Sequence, residues 1–160
     1  MSETAQSTVT PVEKAAMQDV VERACALHDA GHDIVFTAAV VLDDEVIATA
    51  RNEVGDTDDP SRHAEVVAIA RAAKAAGDRD LSGATLIASC QPCEMCLSTM
   101  RWADIGRVIF AAQQAHISDA YFRFPGLTIR DFHAACDGSF SWEGGVDEDR
   151  VSHIYVAKGS

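Results

Sequence analysis

Apolar positions in the first part of the chain follow helical spacing and then strand spacing. Apolar or small residues recur every three or four positions over residues 12–27, which predicts a helix, and Gly31 is typical of a helix end. Residues 35–42 form a continuous apolar run rich in β-branched side chains, and residues 46–50 form a second run. The Asp43-Asp44 turn between the two runs predicts a β-hairpin.

The middle of the chain alternates between the two kinds of spacing. A polar loop over residues 52–62 is followed by an Ala-rich segment, residues 63–76, which predicts a helix ending at Gly77. A strand over 84–89, a helix over 92–103 with Pro92 in its first turn, and a strand over 107–112 are predicted next. This alternation of helices and strands predicts an α/β sandwich with a mixed sheet.

The pattern is weaker beyond residue 113. We expect a helix over residues 127–135, a polar loop over 137–150 and a final strand over 151–157. Residues 1–11 are Ser/Thr-rich without an apolar pattern, which predicts a disordered tail. No low-complexity linker interrupts the rest, so residues 12–160 are predicted to form a single domain.

Composition restricts the class of protein. The 160 residues are 48% hydrophobic and 24% charged, values typical of a globular protein that is neither fibrous nor membrane-spanning. The polar N-terminus does not resemble a signal peptide, so a cytoplasmic location is expected. The cysteines are odd in number, and three of the five fall within seven residues. Reduced thiols, some of them on a metal, explain this distribution better than a disulfide framework.

The charge balance argues against a nucleic-acid partner. Thirteen Lys and Arg residues stand against 25 acidic ones, giving a formal net charge of −12. Proteins that hold nucleic acids rely on basic surfaces to contact phosphates. A small-molecule partner is therefore expected rather than a nucleic acid, and nothing indicates binding to a membrane.

Two short motifs contain residue types that bind and use a metal ion. His63-Ala64-Glu65 and Pro92-Cys93-Glu94-Met95-Cys96 each stand at the predicted start of a helix. Catalytic zinc needs three protein ligands and one open position, which one imidazole and two thiolates can supply. Glu65, two residues after His63, can lie beside the ion without binding it and can move protons.

The combination H-x-E…P-C-x-x-C resembles the signature of the zinc-dependent deaminases. Residues 36–112 resemble the cytidine/deoxycytidylate deaminase superfamily, in the branch of guanine, cytosine and tRNA adenosine deaminases. The resemblance rests on two stretches, Asp59-Pro60-Ser61-Arg62-His63-Ala64-Glu65-Val66 and Ser89-Cys90-Gln91-Pro92-Cys93-Glu94-Met95-Cys96-Leu97.

The resemblance implies a three-layer sandwich whose five-stranded mixed sheet is flanked by helices. It also implies a Zn²⁺ cofactor on His63, Cys93 and Cys96, Glu65 as the proton shuttle, and a homodimer. The residues it implies for substrate binding, taken with nearby candidates from the sequence, are Phe36, Asn52, Ala64, Ser89, Gln91, Pro92, Asp119 and Phe122.

The chain departs from the family pattern at several positions. Arg62 replaces a small residue, Gln91 replaces a glutamate, and Val35-Phe36-Thr37-Ala38 replaces Pro-Phe-Gly-Ala. The acidic residue that guanine deaminases use against the purine would fall near Phe124, which is not acidic, and Asp119 is the nearest upstream carboxylate. The resemblance therefore leaves the substrate open.

Several residues have alternative interpretations. Cys90 could complete a closed structural zinc site, although a buried strand cysteine is the simpler interpretation. Arg62 is either a solvated charge or a substrate contact, and His116 could belong to a substrate loop. Trp102 is expected in the core. The role of Trp142 stays open, and Tyr121, Phe122 and Phe124 could stack on a flat ring.

The function favoured by these residues is hydrolytic deamination of a small aminated heterocycle, with guanine as the leading substrate. Cytosine or a nucleoside is the next candidate. A tRNA adenosine deaminase would use the same chemistry on a macromolecule, but the acidic segment 137–149 argues against it. A non-catalytic zinc module is the third alternative, and it predicts no effect of replacing Glu65.

Overall fold

A five-stranded sheet forms the centre of the computed structural model, which describes residues 8–155. The strand order is β2-β1-β3-β4-β5. The strands are β1 (Thr37–Leu42), β2 (Glu45–Arg51), β3 (Thr85–Cys90), β4 (Arg107–Ala112) and β5 (Ser141–Glu143). β1 pairs antiparallel with both β2 and β3, whereas β3, β4 and β5 run parallel. The prediction of a five-stranded mixed sheet is therefore confirmed.

Helices cover both faces of the sheet. They are α1 (Pro11–Asp29), α2 (Val54–Thr57), α3 (Ala64–Ala76), α4 (Glu94–Trp102), α5 (Ile129–Ala135) and α6 (Ser152–Tyr155). Alternate strand residues point to opposite faces: Val40 packs with α3 and α4, while Val41 packs with α1 and α6. The two hydrophobic layers complete the predicted sandwich, because each sheet face is buried against helices.

Helix α1 is fixed at its N-terminus by hydrogen bonds and an ion pair. Thr10 and Glu13 form a capping box, in which each side chain accepts a hydrogen bond from the other's backbone N–H. The buried Glu13 carboxylate also accepts two hydrogen bonds from Arg107 at the start of β4, at 2.9 and 3.2 Å. Residues 1–7 of the predicted tail, residues 1–11, lie outside the described residues. The other four include Thr10, the N-cap residue of α1, and Pro11, its first helical residue.

Helices α3 and α4 both begin at the same end of the sheet. His63 is the N-cap residue of α3 and Cys93 is the N-cap residue of α4. Pro92 therefore precedes the cap and lies two residues before the first helical residue, Glu94, rather than in the predicted first turn. Gly77 ends α3 with a positive φ of 69°, which glycine adopts without steric cost.

The C-terminal region differs from its prediction. The polar loop over 137–150 contains the short parallel edge strand β5, and the predicted final strand 151–157 is wrong, because residues 152–155 form helix α6. Residues 156 and 157 lie outside the described residues. Ile154 and Tyr155 are buried because they pack against distant parts of the chain. The spacing of apolar residues in so short a segment does not distinguish a strand from a helix.

Trp102 is not a core residue, contrary to its prediction, since 89% of its surface is exposed at the end of α4. Its neighbour Met100 is fully buried instead, because a helix of nine residues presents only one stripe to the core. None of the helices within residues 8–155 is long and apolar enough to cross a membrane.

Candidate active site

Three potential metal-ligand atoms meet where α3 and α4 begin. His63 Nδ1 lies 3.5 Å from Cys93 Sγ and 3.6 Å from Cys96 Sγ, and the two sulfur atoms are 3.6 Å apart. Cys96 lies in the first turn of α4, so the helix places its thiol beside that of Cys93. The cluster is therefore built by two helix N-termini that the sheet brings together.

The triangle has the dimensions of a tetrahedral zinc site. Zn–S bonds of about 2.3 Å and Zn–N bonds of about 2.0–2.1 Å at tetrahedral angles place two sulfurs roughly 3.8 Å apart and a sulfur and a nitrogen roughly 3.6 Å apart. The observed separations of 3.5 to 3.6 Å are close to these values. The donor set of one imidazole and two thiols is also one that zinc accepts, so the residues fit the ion that the sequence motif implies.

Glu65 lies beside this cluster in the first turn of α3. Its Oε2 accepts a hydrogen bond from Cys96 Sγ at 3.1 Å, and only 5% of the residue is exposed. Burial raises the pKa of this carboxyl, although the hydrogen bond from Cys96 opposes that effect. A carboxyl with a raised pKa holds a proton more readily than an ordinary one, which suits a group that must act as both base and acid.

The cluster thiols have opposite acidities. The hydrogen bond between the two sulfurs stabilises the Cys93 thiolate and lowers its pKa to about 4, and the hydrogen bond to His63 adds to this. The same contact with Cys93, together with burial, raises the pKa of Cys96 well above its usual range. The hydrogen bond with Cys93 also raises the pKa of the His63 imidazole.

Cys90 stays apart from this cluster. It is buried, burial raises its pKa well above the usual range, and it does not belong to the one group of potential ligands found within residues 8–155. The structure therefore gives no support to Cys90 as the fourth ligand of a closed site.

A cavity of about 530 Å³ opens onto the cluster. His63, Glu65 and Cys93 reach its wall, and of the predicted substrate-binding residues Phe36, Asn52 and Gln91 also line it. The remaining lining residues are Asp33, Ile34, Val54, Pro60, Cys90, Glu94, Met95, Ala120, Tyr121 and Arg123. This volume is within the range of small-molecule sites in proteins.

Five predicted substrate-binding residues lie outside the cavity lining. Ala64 and Ser89 are fully buried behind it, and Pro92 is the buried residue before the α4 cap. Phe122 packs against Cys93 and Cys96, and Asp119 is exposed in a 3₁₀ turn. Ala120 and Tyr121, the neighbours of Asp119, line the cavity instead, because the turn directs adjacent side chains to different sides.

Asn52 has its amide group oriented by the backbone. Its side-chain Oδ1 accepts a hydrogen bond from the backbone N–H of Val54 at 3.0 Å, and the backbone N–H of Asn52 donates to Phe36 O at 3.1 Å. With the oxygen engaged, the Nδ2 group is the part of the side chain available to a ligand. Asn52 can therefore serve as a hydrogen-bond donor in the cavity.

Aromatic rings form one wall of the cavity. The ring of Phe36 lies edge-to-face with that of Tyr121 at a centroid distance of 5.2 Å, and both residues line the cavity. Tyr121 is one of the three aromatic residues predicted to stack on a flat ring; of the other two, Phe124 is 62% exposed and lies outside the cavity lining. Offset or edge contacts with such rings suit a flat heterocycle.

Two polar residues singled out in the sequence have partners elsewhere. Arg62 lies 3.7 Å from the Glu53 carboxylate, which also pairs with Arg71 at 2.6 Å. His116 Nδ1 contacts the Glu148 carboxylate at 2.7 Å. Neither Arg62 nor His116 lines the cavity. Both belong to surface networks around the site.

Asp33, Ile34, Met95 and Arg123 line the cavity without having been predicted to do so. Met95 stands inside the Cys-x-x-Cys motif, which could have singled it out. The others come from loops whose position depends on how α1 and the segment after β4 pack against the sheet, and no local sequence signal marks them.

The comparison with known families agrees with the fold and the cluster. Residues 11–112 match the cytidine and deoxycytidylate deaminase zinc-binding region. Because that match covers more than half of the chain, the protein belongs to this family of deaminases.

Individual relatives include enzymes named for two kinds of substrate. Guanine deaminase of Bacillus subtilis is 38% identical over 106 residues, which are 66% of this chain and 68% of the relative. A tRNA-specific adenosine deaminase of Agrobacterium fabrum is 36% identical over 81 residues, covering 51% of this chain and 53% of the relative. The chain therefore matches about half the length of that second relative.

Solved structures include the same two kinds of enzyme. The X-ray structure of a Bacillus subtilis guanine deaminase superposes with a TM-score of 0.59 at 33% identity, covering 79% of this chain and 70% of that one. A structure from a study of tRNA:A34 deaminases superposes with a TM-score of 0.72 at 26% identity, covering 88% and 98%. The fold and the deaminase family are thus shared with both kinds of enzyme.

Proposed function

We propose that this protein is a zinc-dependent hydrolytic deaminase that acts on a small aminated heterocycle, with the free base guanine as the leading substrate. One observation carries the proposal: the triangle of His63, Cys93 and Cys96 lies at a cavity of nucleobase size, with the Glu65 carboxylate alongside. A structural metal site has no need of a buried carboxylate that borders a cavity.

His63 Nδ1 and the Sγ atoms of Cys93 and Cys96 would hold the ion. Zinc bound there would supply Lewis-acid activation of a water molecule next to the substrate. The α4 N-terminus supports this role, because the partial positive charge of the helix end favours thiolates over thiols.

Glu65 would carry the protons of the reaction. Its carboxylate takes a proton from the attacking water and delivers it to a ring nitrogen of the substrate. The carboxylate then takes the remaining proton from the hydroxyl group formed on the attacked carbon and passes it to the amino group, which leaves as ammonia while that carbon becomes a carbonyl. The pKa raised by burial suits this alternation, because a carboxyl of ordinary pKa would release its proton too readily to act as an acid near neutral pH.

Asn52 and the aromatic wall would orient the substrate. The Asn52 Nδ2 group donates a hydrogen bond to a ring nitrogen or carbonyl oxygen of the base. Phe36 and Tyr121 contact the flat ring. Holding the aminated carbon near Glu65 in this way lowers the entropic part of the barrier.

The preference for a free base rests on similarity and charge. The guanine deaminase of Bacillus subtilis matches a larger share of this chain than the tRNA-specific adenosine deaminase does. A net charge of −12 also disfavours a polyanionic substrate. Deamination of adenosine in tRNA is the second candidate, because relatives with that name share the family and the fold.

Ammonia release screened over free bases, nucleosides and tRNA tests the proposal, with zinc measured on the same sample. We expect guanine to be deaminated, one zinc per chain, and loss of at least about 1,000-fold in kcat for Glu65→Gln at unchanged zinc content. Turnover of cytosine alone would replace the substrate and keep the mechanism. Tight, salt-sensitive binding to tRNA in a mobility-shift assay would favour the second candidate, and full activity of Glu65→Gln would refute the mechanism.

A cytoplasmic location and a homodimer complete the proposal. The five cysteines are all free thiols, which fits a reducing compartment. The homodimer rests on the family resemblance, and sedimentation velocity at several protein concentrations tests it.

A further inference from the structure

Tyr155 links two segments that border the cavity through a chain of buried hydrogen bonds. Its hydroxyl donates to Val35 O at 3.0 Å, so the Ser89 hydroxyl, 2.8 Å away, donates to the Tyr155 oxygen. Ser89 Oγ in turn accepts from Thr37 N at 3.1 Å. Because Ser89 is fully buried and Tyr155 is 1% exposed, water does not compete for these groups.

The ring of Tyr155 supports the aromatic wall from behind. It is stacked parallel to Phe36, with a centroid distance of 5.1 Å and an interplanar angle of 2°. It also lies edge-to-face with Tyr121 at 6.2 Å. Phe36 and Tyr121 line the cavity, whereas Tyr155 does not, so Tyr155 can reach a substrate only through these two rings.

A third contact involves the backbone of Tyr155. Ser118 N donates to Tyr155 O at 3.4 Å, at the beginning of the 3₁₀ turn that carries Tyr121. Helix α6 thus contacts the chain before β1, the end of β3 and the loop after β4 through one residue. These are three of the segments that form the cavity wall.

We propose that Tyr155 is a positioning residue, which fixes the rings of Phe36 and Tyr121 in the orientation that receives the substrate base. This role rests on the proposed function of the cavity. Removing the ring would leave Phe36 without its parallel neighbour and Tyr121 without one of its two edge contacts, so both would sample other rotamers. Ordering them again on binding would weaken substrate affinity, while Glu65 and the metal cluster stay in place.

The ring and the hydroxyl of Tyr155 have separable effects. Tyr155→Phe keeps the stacked ring but leaves Val35 O and Ser89 Oγ each short of one partner, so it lowers stability. Tyr155→Leu removes the ring as well. Val151→Ala, in the same C-terminal segment and fully buried, provides a matched loss of stability while every ring of the aromatic wall and the ring of Tyr155 stay present.

The experiment measures KM, kcat and thermal midpoint for these three variants and the wild-type protein, with the base that the wild-type protein deaminates as substrate. The dissociation constant of the base is measured separately, by calorimetry in a zinc-loaded Glu65→Gln background. We expect Tyr155→Leu to raise KM and the dissociation constant about tenfold with kcat within about twofold. Tyr155→Phe and Val151→Ala should lower the thermal midpoint and keep KM within about twofold.

An unchanged KM in Tyr155→Leu, or an equal rise of KM in Val151→Ala, would overturn the positioning role while the proposed function stands. If Tyr155→Leu is unfolded at the assay temperature, Tyr155→Met replaces it with the same expectations, since methionine adapts to irregular space. A wild-type protein that neither turns over nor binds any base would instead overturn the proposed function, and this role with it.

Discussion

Cys90 and Cys93 stand three residues apart, yet only Cys93 reaches the imidazole of His63, with its Sγ 3.5 Å from Nδ1. Cys90 is the last residue of β3, whereas Cys93 caps α4. The turn between them directs the two thiols to different places. This separation distinguishes a site with three protein ligands from a closed one with four.

Replacement of Cys93 should therefore reduce zinc binding, whereas replacement of Cys90 should not. We expect Cys90→Ser to retain one zinc per chain, and Cys93→Ser to lose at least about tenfold in zinc affinity. Zinc titration against a competing chelator measures both variants. Parallel loss of zinc in Cys90→Ser would show that Cys90 is a ligand.

The Asn52 side chain allows a substitution that separates its two ends. Asn52→Asp keeps an oxygen for the Val54 N–H but replaces the Nδ2 donor with a second, negatively charged acceptor. We expect kcat/KM to fall by about 100-fold or more, because the substrate acceptor then faces a carboxylate. The thermal midpoint should change little.

Asn52→Ala serves as the comparison, because it removes the hydrogen bond to Val54 as well as the donor. It should lower stability and reduce kcat/KM less than Asn52→Asp does. A smaller effect of Asn52→Asp than of Asn52→Ala would mean that the amide does not donate to the substrate.

The loop after β4 is tied to α4 by one charge-assisted hydrogen bond. Arg123 N donates to Glu94 Oε1 at 2.9 Å, and both residues line the cavity. Glu94→Ala should increase hydrogen exchange at the Arg123 amide by about tenfold, since the amide loses its acceptor. Glu94→Gln retains an acceptor oxygen and should exchange at nearly the wild-type rate. Equal exchange in the two variants would show that this bond does not hold the loop.

The ion pair between Glu13 and Arg107 makes stability depend on pH. Burial by itself would raise the pKa of Glu13, but hydrogen bonds from Arg107 and Thr10 outweigh it and lower the pKa to about 2 from an ordinary 4.5. A carboxyl with a lowered folded-state pKa stabilises the protein above its unfolded-state pKa, and this contribution is lost as pH falls towards the folded-state value.

Glu13→Gln should therefore cost on the order of 2 kcal/mol in the free energy of unfolding at pH 7. The difference from the wild type should shrink between about pH 5 and pH 2 and vanish below that range. Urea unfolding of both proteins across this range measures the difference. A difference that stays constant with pH would mean that the ion pair with Arg107 does not lower the pKa of Glu13.

The metal cluster could be predicted from sequence, because two short motifs at helix starts contain all of its residues. His63 and Glu65 are separated by one residue, and the two cysteines by one helical turn, so local structure alone sets each half. The hairpin and helices α1, α3 and α4 could also be predicted, because their apolar spacing is long and regular. The four-residue helix α2 could not, since it lies within the predicted polar loop 52–62.

The remaining features depend on contacts between distant segments. Strand β5 has three residues within a polar stretch, and it is a strand because it pairs with β4 rather than by propensity. Tyr155 meets Ser89 across 66 residues of chain, so its place behind the cavity has no local signal. The prediction of Asp119 rests on its position along the sequence alone, whereas the 3₁₀ turn places Tyr121 at the cavity instead.

The division of the cluster between two helix starts has a consequence for the order of assembly. Thirty residues separate His63 from Cys93, so an unfolded chain offers only the cysteine pair to an ion. The third donor arrives when β3 and the two helices have docked. An ion held by all three therefore binds the native state more tightly than the unfolded chain, and its loading completes folding rather than initiating it.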